Sequence, residues 1–587
     1  MLFVYQSRKN LCEIMLTSSR QLGLIVRLIT FVPESIMSGR DRRGGFGIGR
    51  RMVIGAAAAM TAAVALGVGS LPVSTALAQD ARGGGTLSII LQPEPVTLTP
   101  STNMAQPTQV VAGNIFDGLV SYDFDLKPKP ALAERWEVAP DGLTITFHLR
   151  SGVKWHDGKP FSAADVKWSL ENIWKTIHPR NKSLFENVTQ VDTPDDATVI
   201  LRLSKPSLPI LSVLNGVGAP ILPKHLYEGT DILNNPYNNK PVGTGPFVFK
   251  EWKRGEYVEL TRNPDYWEAG KPYLDRLLFR IIPDAAARAA AIEKGEIQYA
   301  PYNPVPFRDA ERLSKLPSLK VDTRGYEWLS PLLYLDFNVE NPYLKDVRVR
   351  RAIAHAIDRA ALAKIVWFGY AKPAISPVPS SLVTFHNTKL PQYPFDVKKA
   401  EALLDEAGFK RDANGVRFTL THDFLPYGDD YRRTGEFLKQ ALKRVGIEVT
   451  IRSQDSAAFI KRVYVDRDFD FAISYNNAFP DPQIGVVRAF WSGWLGTGTP
   501  WTNGSGYRNA RADALIQEAG VEGDPAKRVA EFNEFQDIVL GDVPSLPLLE
   551  LNFFSVYSAN LQGIVEQGDQ VYSSLKNARF TGTPKAN

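Results

Sequence analysis

The sequence is almost without cysteine, with one residue, Cys12, in 587. That excludes a disulfide scaffold and a thiolate zinc site. Histidine is nearly as scarce, seven in all. His355, His386 and His422 stand far apart, so no metal cluster is written into the chain. Catalytic signatures are missing as well. There is no H-E-x-x-H and no G-x-x-x-x-G-K-[ST]. Gly243-Thr244-Gly245-Pro246 lacks the third glycine of a dinucleotide loop and puts proline where a helix would start. In Asn503-Gly504-Ser505-Gly506, asparagine replaces the first glycine of a nucleophile elbow, which leaves a flexible polar turn. Asp466, Asp468 and Asp470 are spaced like a calcium loop, but Phe471 takes the glycine's place and no glutamate follows. Their alternation with Phe469, Phe471 and Ile473 predicts a half-exposed strand instead. His156-Asp157 reads as an exposed turn with no nucleophile visible. The expectation is a protein that is not an enzyme and holds no cofactor and no metal.

Charge of one sign is also in short supply, with 68 Lys and Arg against 63 Asp and Glu. The excess sits at the start: residues 1–78 hold nine basic and three acidic residues, and the rest holds 59 and 60. No basic stripe appears, so no nucleic-acid partner is expected. A long apolar run stands at 52–71 (MVIGAAAAMTAAVALGVGSL), after the basic stretch 40–51 and before Ala76-Leu77-Ala78. Basic region, apolar region and small-x-small site make a secretory signal. Arg50-Arg51 leave both the general and the twin-arginine export routes open. An uncleaved anchor is the alternative, and the Ala-x-Ala site favours cleavage. Residues 1–36 fit no signal, whereas Met37 would begin a normal one, so 1–36 read as an over-extended start. Cleavage after Ala78 leaves 509 residues without cysteine. Such a chain takes no lipid anchor and is long enough to be held by its core alone. It is expected in the periplasm.

What is present is a folded soluble composition, 44% hydrophobic and 22% charged. Residues 86–91 (TLSIIL) predict a strand. Leu143, Ile145, Phe147 and Leu149 alternate with polar residues as a half-buried strand. Ser162 and Asp165 predict a capped helix through Val166, Trp168 and Leu170. Asp346 opens one helix running to Gly369, Asp396 opens another that Gly408 ends, and 434–445 is an amphipathic helix stopped by Gly446 before a strand. Strands and helices alternate, which argues α/β layers. Aromatic residues are plentiful: 11 Trp, 21 Tyr and 30 Phe. Most belong to a core. The segment 475–507, however, sets Tyr475, Phe479, Phe490, Trp491, Trp494, Trp501 and Tyr507 among Gly, Pro, Asn and Asp, a setting suited to lining a cleft.

Several blocks carry a family likeness. They are GGTL (84–87), NIFDGLVSYD (114–123), LAERWEVAPDGLTITFHLRSGVKWHDGKPFSAADVKWSLE (132–171), PVGTGPFVFKEW (241–252), RNPDYWEAGKPYLD (262–275), LYLDFN (333–338), LKDVRVRRAIAHAIDRAALA (344–363), YPFDVKKAEALLDEAGF (393–409) and FLKQALKRVGIEVTI (437–451). In this order they resemble the family 5 solute-binding proteins of ABC importers, the peptide, dipeptide, oligopeptide and nickel class. The resemblance implies the two-lobed type II periplasmic-binding-protein fold, α/β with mixed sheets flanked by helices. It implies a discontinuous first lobe at 81–125, 244–331 and 549–587, an inserted domain at 126–243 and a second lobe at 332–548. A small solute would sit between lobes that close by hinge motion. The closed monomer would then meet a membrane permease and its ATPase. Most of the matched blocks are scaffold. The ligand contacts implied are Asn103, Met104 and Ala105 in one loop and Tyr475, Asn477, Ala478, Phe479 and Asp481 in another, with Trp491 and Trp494 added from the aromatic segment. Peptide-binding members place an aspartate, paired with the peptide's α-amino group, where this sequence has Ala478. A buried ammonium without a carboxylate is costly. Asp481 either takes over that role or only shapes the turn before Pro482. The missing aspartate and the aromatic loop raise an oligosaccharide or an uncharged ligand as the alternative to a peptide-like one. A sensory or chaperone-type binding protein would share this sequence pattern.

Overall fold

The computed structural model describes residues 84–581. The export signal, the early start, Cys12 and the cleavage site lie outside the described residues. Among the described residues no helix is long and apolar enough to cross a membrane.

Three larger sheets organise the chain. The first has seven strands in the order Leu319–Asp322, Ser555–Ser558, Tyr299–Ala300, Thr86–Leu91, Arg276–Ile281, Tyr257–Arg262 and Phe247–Lys253. Its centre is the apolar TLSIIL strand, which pairs in parallel with Arg276–Ile281 and with Tyr299. The second, four-stranded, orders Ala133–Val138, Thr144–Leu149, Thr198–Leu203 and Val188–Asp195, all antiparallel. Here the expected alternation holds: Ile145, Phe147 and Leu149 are buried and their neighbours are not. The third has six strands in the order Ala371–Pro373, Ser545–Leu551, Pro331–Phe337, Phe471–Asn477, Phe418–Phe424 and Ile447–Arg452. It mixes directions, with Phe418–Phe424 parallel to both of its neighbours and Pro331–Phe337 antiparallel to both of its own.

Local signals explain most of the elements. Ser162 and Asp165 form the expected capping box, the Asp165 carboxylate accepting the Ser162 N–H at 3.0 Å. Asp396 caps Val397–Glu406, and Gly408 follows with φ +90°. The amphipathic helix starts a turn and more before the expected 434, at Asp429, and runs to Arg444.

Three expectations need correction. The single helix from Asp346 to Gly369 is two, Val347–Ala356 and Arg359–Ile365. Ile357 is extended, and Asp358 restarts the helix by accepting the Ala361 N–H at 2.9 Å. The strand beginning at Phe471 is not half-exposed. It lies between two other strands, so Phe471, Ala472, Ile473 and Ser474 are all buried. The 548/549 division falls inside Ser545–Leu551, whose pairing with Leu332–Asp336 keeps the strand whole in the six-stranded sheet.

The centre of that sheet holds a buried carboxylate, Asp336. Hydroxyls of Ser474 and Ser545, one from each flanking strand, donate to it. Burial pushes its carboxyl above the usual range, and these two donors oppose the shift.

Candidate functional site

Two chain crossings join the seven-stranded and six-stranded sheets, at 322–331 and 551–555. Around them aromatic rings pack in edge-on, tilted and stacked pairs. Tyr302 lies 6.0 Å from Tyr326, 5.0 Å from Phe553 and 6.3 Å from Tyr572. From the six-stranded side Tyr475 reaches Phe553 at 6.3 Å, Tyr427 at 6.2 Å and Tyr431 at 6.3 Å, and Tyr427 reaches Trp501 at 6.1 Å. Phe479 stands on Trp328 at 5.0 Å. The phenols of Tyr302, Tyr475 and Tyr572 interact with one another, and burial pushes all three up.

Strain concentrates in the same place. Tyr302 (φ 64°), Asn303 (φ 51°), Ser330 (φ 45°), Phe479 (φ 57°) and Trp501 (φ 59°) are non-glycine residues in the left-handed region. Each such backbone costs on the order of 1–3 kcal/mol and persists where surrounding structure enforces it, commonly at functional sites. Phe479 is held by its N–H donating to the Leu329 carbonyl at 3.3 Å, and Ala478 by the Ser330 carbonyl at 3.2 Å.

Two half-buried arginines face aromatic rings, Arg180 those of Phe479 and Trp328 and Arg488 that of Trp494. The Arg180 guanidinium lies 3.8 Å over the Phe479 ring and 5.9 Å from that of Trp328. Arg488 lies 6.0 Å from the Trp494 ring and donates to the Pro500 carbonyl at 3.3 Å. Burial lowers the pKa of both. For Arg180 repulsion from Arg488 adds to the burial, Tyr572 opposes it, and the result is about 9. Arg180 Nη1, Asn477 Oδ1 and Gln109 Oε1 are buried without a hydrogen-bond partner, as are His178 Nε2 and Asn181 Oδ1 next to Arg180 in sequence.

The family profile of the bacterial extracellular solute-binding proteins, family 5 Middle, matches residues 127–497. The chain belongs to that family. The glutathione-binding protein GsiB of Salmonella typhi is 30% identical over 500 residues, covering 81% of this chain and 91% of that protein. Among solved structures, the periplasmic binding protein DppA of Helicobacter pylori, in complex with the peptide STSA, matches with a TM-score of 0.71 and 28% identity over 86% of this chain and 99% of that one. NikZ from Campylobacter jejuni, in complex with Ni(L-His), gives 0.71 and 25% over 84% and 96%. The expected fold, a type II periplasmic binding protein with mixed sheets and flanking helices, is the fold of the chain.

In this family 5 protein the structure gathers some expected contact residues and separates others. Tyr475 and Phe479 belong to the ring cluster, with Asn477 and Ala478 between them on the chain. Trp491 and Trp494 meet edge to face at 6.0 Å, and Trp494 continues to Arg488. Asn103, Met104 and Ala105 form the turn that leads into the helix Gln106–Ala112. Asn103 Oδ1 accepts the Ala105 N–H at 2.7 Å, and the Met104 carbonyl accepts from Gln109 Nε2 at 2.6 Å, which orients Gln109.

Asp481 is a correction. Arg528 grips both of its oxygens at 2.7 Å, the Gln483 N–H donates to Oδ1 at 2.9 Å, and the pair is buried. A carboxylate so engaged caps the turn before Pro482 and is not free for a ligand ammonium. Among the described residues no cluster of His, Cys, Asp and Glu is placed to hold a metal.

His156 and the 503–506 turn are structural, though neither is exposed or flexible as expected. His156 is held between the Gly243 N–H at 3.2 Å and the Gly245 carbonyl at 2.9 Å. Asn503 Oδ1 collects donors from Ser505, Gly506 and Tyr507 and is buried.

Arg180, Arg488, Trp328, Tyr302 and Tyr572 were invisible to sequence reasoning. They come from four distant stretches and carry no motif. A groove of about 540 Å³ elsewhere, lined by Lys167, Glu171, Lys224 and Glu228, is bordered by solvated pairs of those residues at 4.0 Å and 3.5 Å, and it contains none of the orphaned atoms.

Proposed function

We propose that this solute-binding protein captures a peptide or peptide-like solute between two lobes, the first built on the seven-stranded sheet with the four-stranded insert and the second on the six-stranded sheet. It then presents the closed form, as a monomer, to a membrane permease and its ATPase. The observation that carries the reading is the ring cluster at the crossings. Strained backbone and aromatic rings meet where the chain crosses between sheets. Relatives that bind glutathione, a peptide or a nickel chelate support the solute class. The export signal over 40–78 supports a periplasmic location.

The test is to purify the exported protein, identify co-purified solute by mass spectrometry, and screen thermal shift against peptide and oligosaccharide sets. Binding to the native state raises Tm by mass action. Peptides are expected to give the large shifts. Shifts from oligosaccharides alone would replace the peptide reading. An intact mass that retains the 52–71 segment would remove the free periplasmic form.

A further inference from the structure

Resting on the two-lobe reading above, we propose that the inserted domain, 126–243, carries a catch for the second lobe. The Arg180 guanidinium seated on the Phe479 ring, with Pro206 laid against Gly523, holds the lobes together before any solute arrives and so sets how readily they close on one.

The kind of contact decides the role. Among the described residues no hydrogen bond and no ion pair crosses between 126–243 and 332–548. What joins them is a cation 3.8 Å over a ring and a proline against a glycine. Arg528, inside the second lobe, shows the contrast. It is buried and fixed by both oxygens of Asp481, a bond that opening would leave broken and dry. Arg180 is half-buried, so on opening its guanidinium returns to water and the ring loses only a cation from its face. Such a contact favours the closed form modestly and parts cheaply, which suits a lobe that must close and reopen.

Both halves are pre-set. His178 Nδ1 accepts the N–H of Arg180 at 3.3 Å and of Asn181 at 3.2 Å, and Asn181 Nδ2 donates to the Gly218 carbonyl at 2.9 Å. The turn that carries Arg180 is thus fixed within its own domain. Phe479 is held at φ 57° by the Leu329 carbonyl and meets Trp328 edge to face at 70°, which aims the ring. Trp328, on the 322–331 crossing, donates Nε1–H to the Ser212 carbonyl at 3.1 Å and so ties the inserted domain to the pivot. Pro206 gives the second point. A Cβ on Gly142, which has φ 69°, would lie 3.0 Å from Pro206 Cβ, and one on Gly523 would lie 3.8 Å from it. Pro206 therefore stands between a turn of its own domain and the loop joining the helices Ala510–Val521 and Pro525–Asp542. Opening about the crossings parts Pro206 from Gly523.

The experiment uses the thiol-free background. Residues 79–587 contain no cysteine, so P206C and G523C supply the only thiol pair in the exported protein. Their β-carbons, 3.8 Å apart in the closed contact, suit a disulfide. The doubly substituted protein is oxidised with copper phenanthroline, alone and with a tripeptide mixture, and the bridged fraction is followed by mass spectrometry. The same is done with R180M, R180K or F479L added, with circular dichroism as the folding control. Without solute the bridge is expected to form, about threefold more slowly in R180M and F479L, with R180K between because an ammonium still sits on the ring. Tripeptides should bring R180M back to the parent rate, since bound solute supplies the closure that the catch no longer does. No bridge without solute, or equal solute-free rates in R180M and its parent, would overturn the catch. Solute-free rates that differ as expected but ignore the tripeptides would leave the catch standing and count against the peptide reading.

Discussion

Asp481 and Arg528 are the sharpest test of role at the scale of single residues. The pair is buried and bidentate, so D481N strands a guanidinium and should cost about 3–5 kcal/mol in urea denaturation, while solute affinity stays within twofold. Lost affinity at unchanged stability would return Asp481 to the site. Asp430 works in the opposite sense. Burial chiefly, with Asp429 adding, raises its pKa to about 6, and Arg433 opposes the shift. A folded pKa above the unfolded value of about 3.9 means the native state favours the protonated form. The side chain is therefore harmless below that value, turns destabilising as pH climbs to about 6, and stays so above. D430N should raise Tm at pH 7.5 and leave it unchanged at pH 3.5; an equal gain at both would refute the charge argument. The candidate contacts were half legible at this scale. Tyr475 and Phe479 could be named because aromatics among turn residues have few places to pack. Arg180 and Arg488 could not, because an unpaired guanidinium is recognisable only once its missing partners are known in space.

Elements were more legible, since caps and periodicity are local. The capping box at Ser162 and the stops at Gly408 and Gly446 were readable for that reason. The break at Ile357-Asp358 was not, because the apolar pattern continues through it. Nor was the double-sided burial of Phe471–Asn477, which depends on neighbours far off in sequence. One helix position tests packing against propensity. In Asp429–Arg444, a Cβ on Gly435 would meet the His422 ring at 2.9 Å. Alanine gains about 1 kcal/mol of helix propensity, but the helix must move off buried His422, at a typical cost of 1–3 kcal/mol. G435A should thus be neutral or destabilising. A stabilised variant would show that the ring yields.

At the scale of the whole molecule, burial depresses the pKa of half-buried His156 to about 4 and of fully buried His178 and His422 to about 3. Depressed histidines stabilise fully above the unfolded value of about 6.5, and that contribution fades as pH falls towards the folded values. Urea midpoints should therefore fall steadily from pH 6.5 to 4.5. A flat profile there would contradict neutral burial. The two crossings, at 322–331 and 551–555, have a mechanical consequence. They are pinned to each other by Tyr326 and Ser555, whose hydroxyls lie 2.8 Å apart. In the proposed two-lobe reading, lobes tied by a pair of adjacent pins keep one easy degree of freedom, rotation about the line through them. Tryptophan fluorescence after rapid mixing with solute should then relax as a single exponential. Tyr326, Trp328 and Phe553 sit on the pins themselves, so a solute that touches them loads the axle of the machine and not only its jaws.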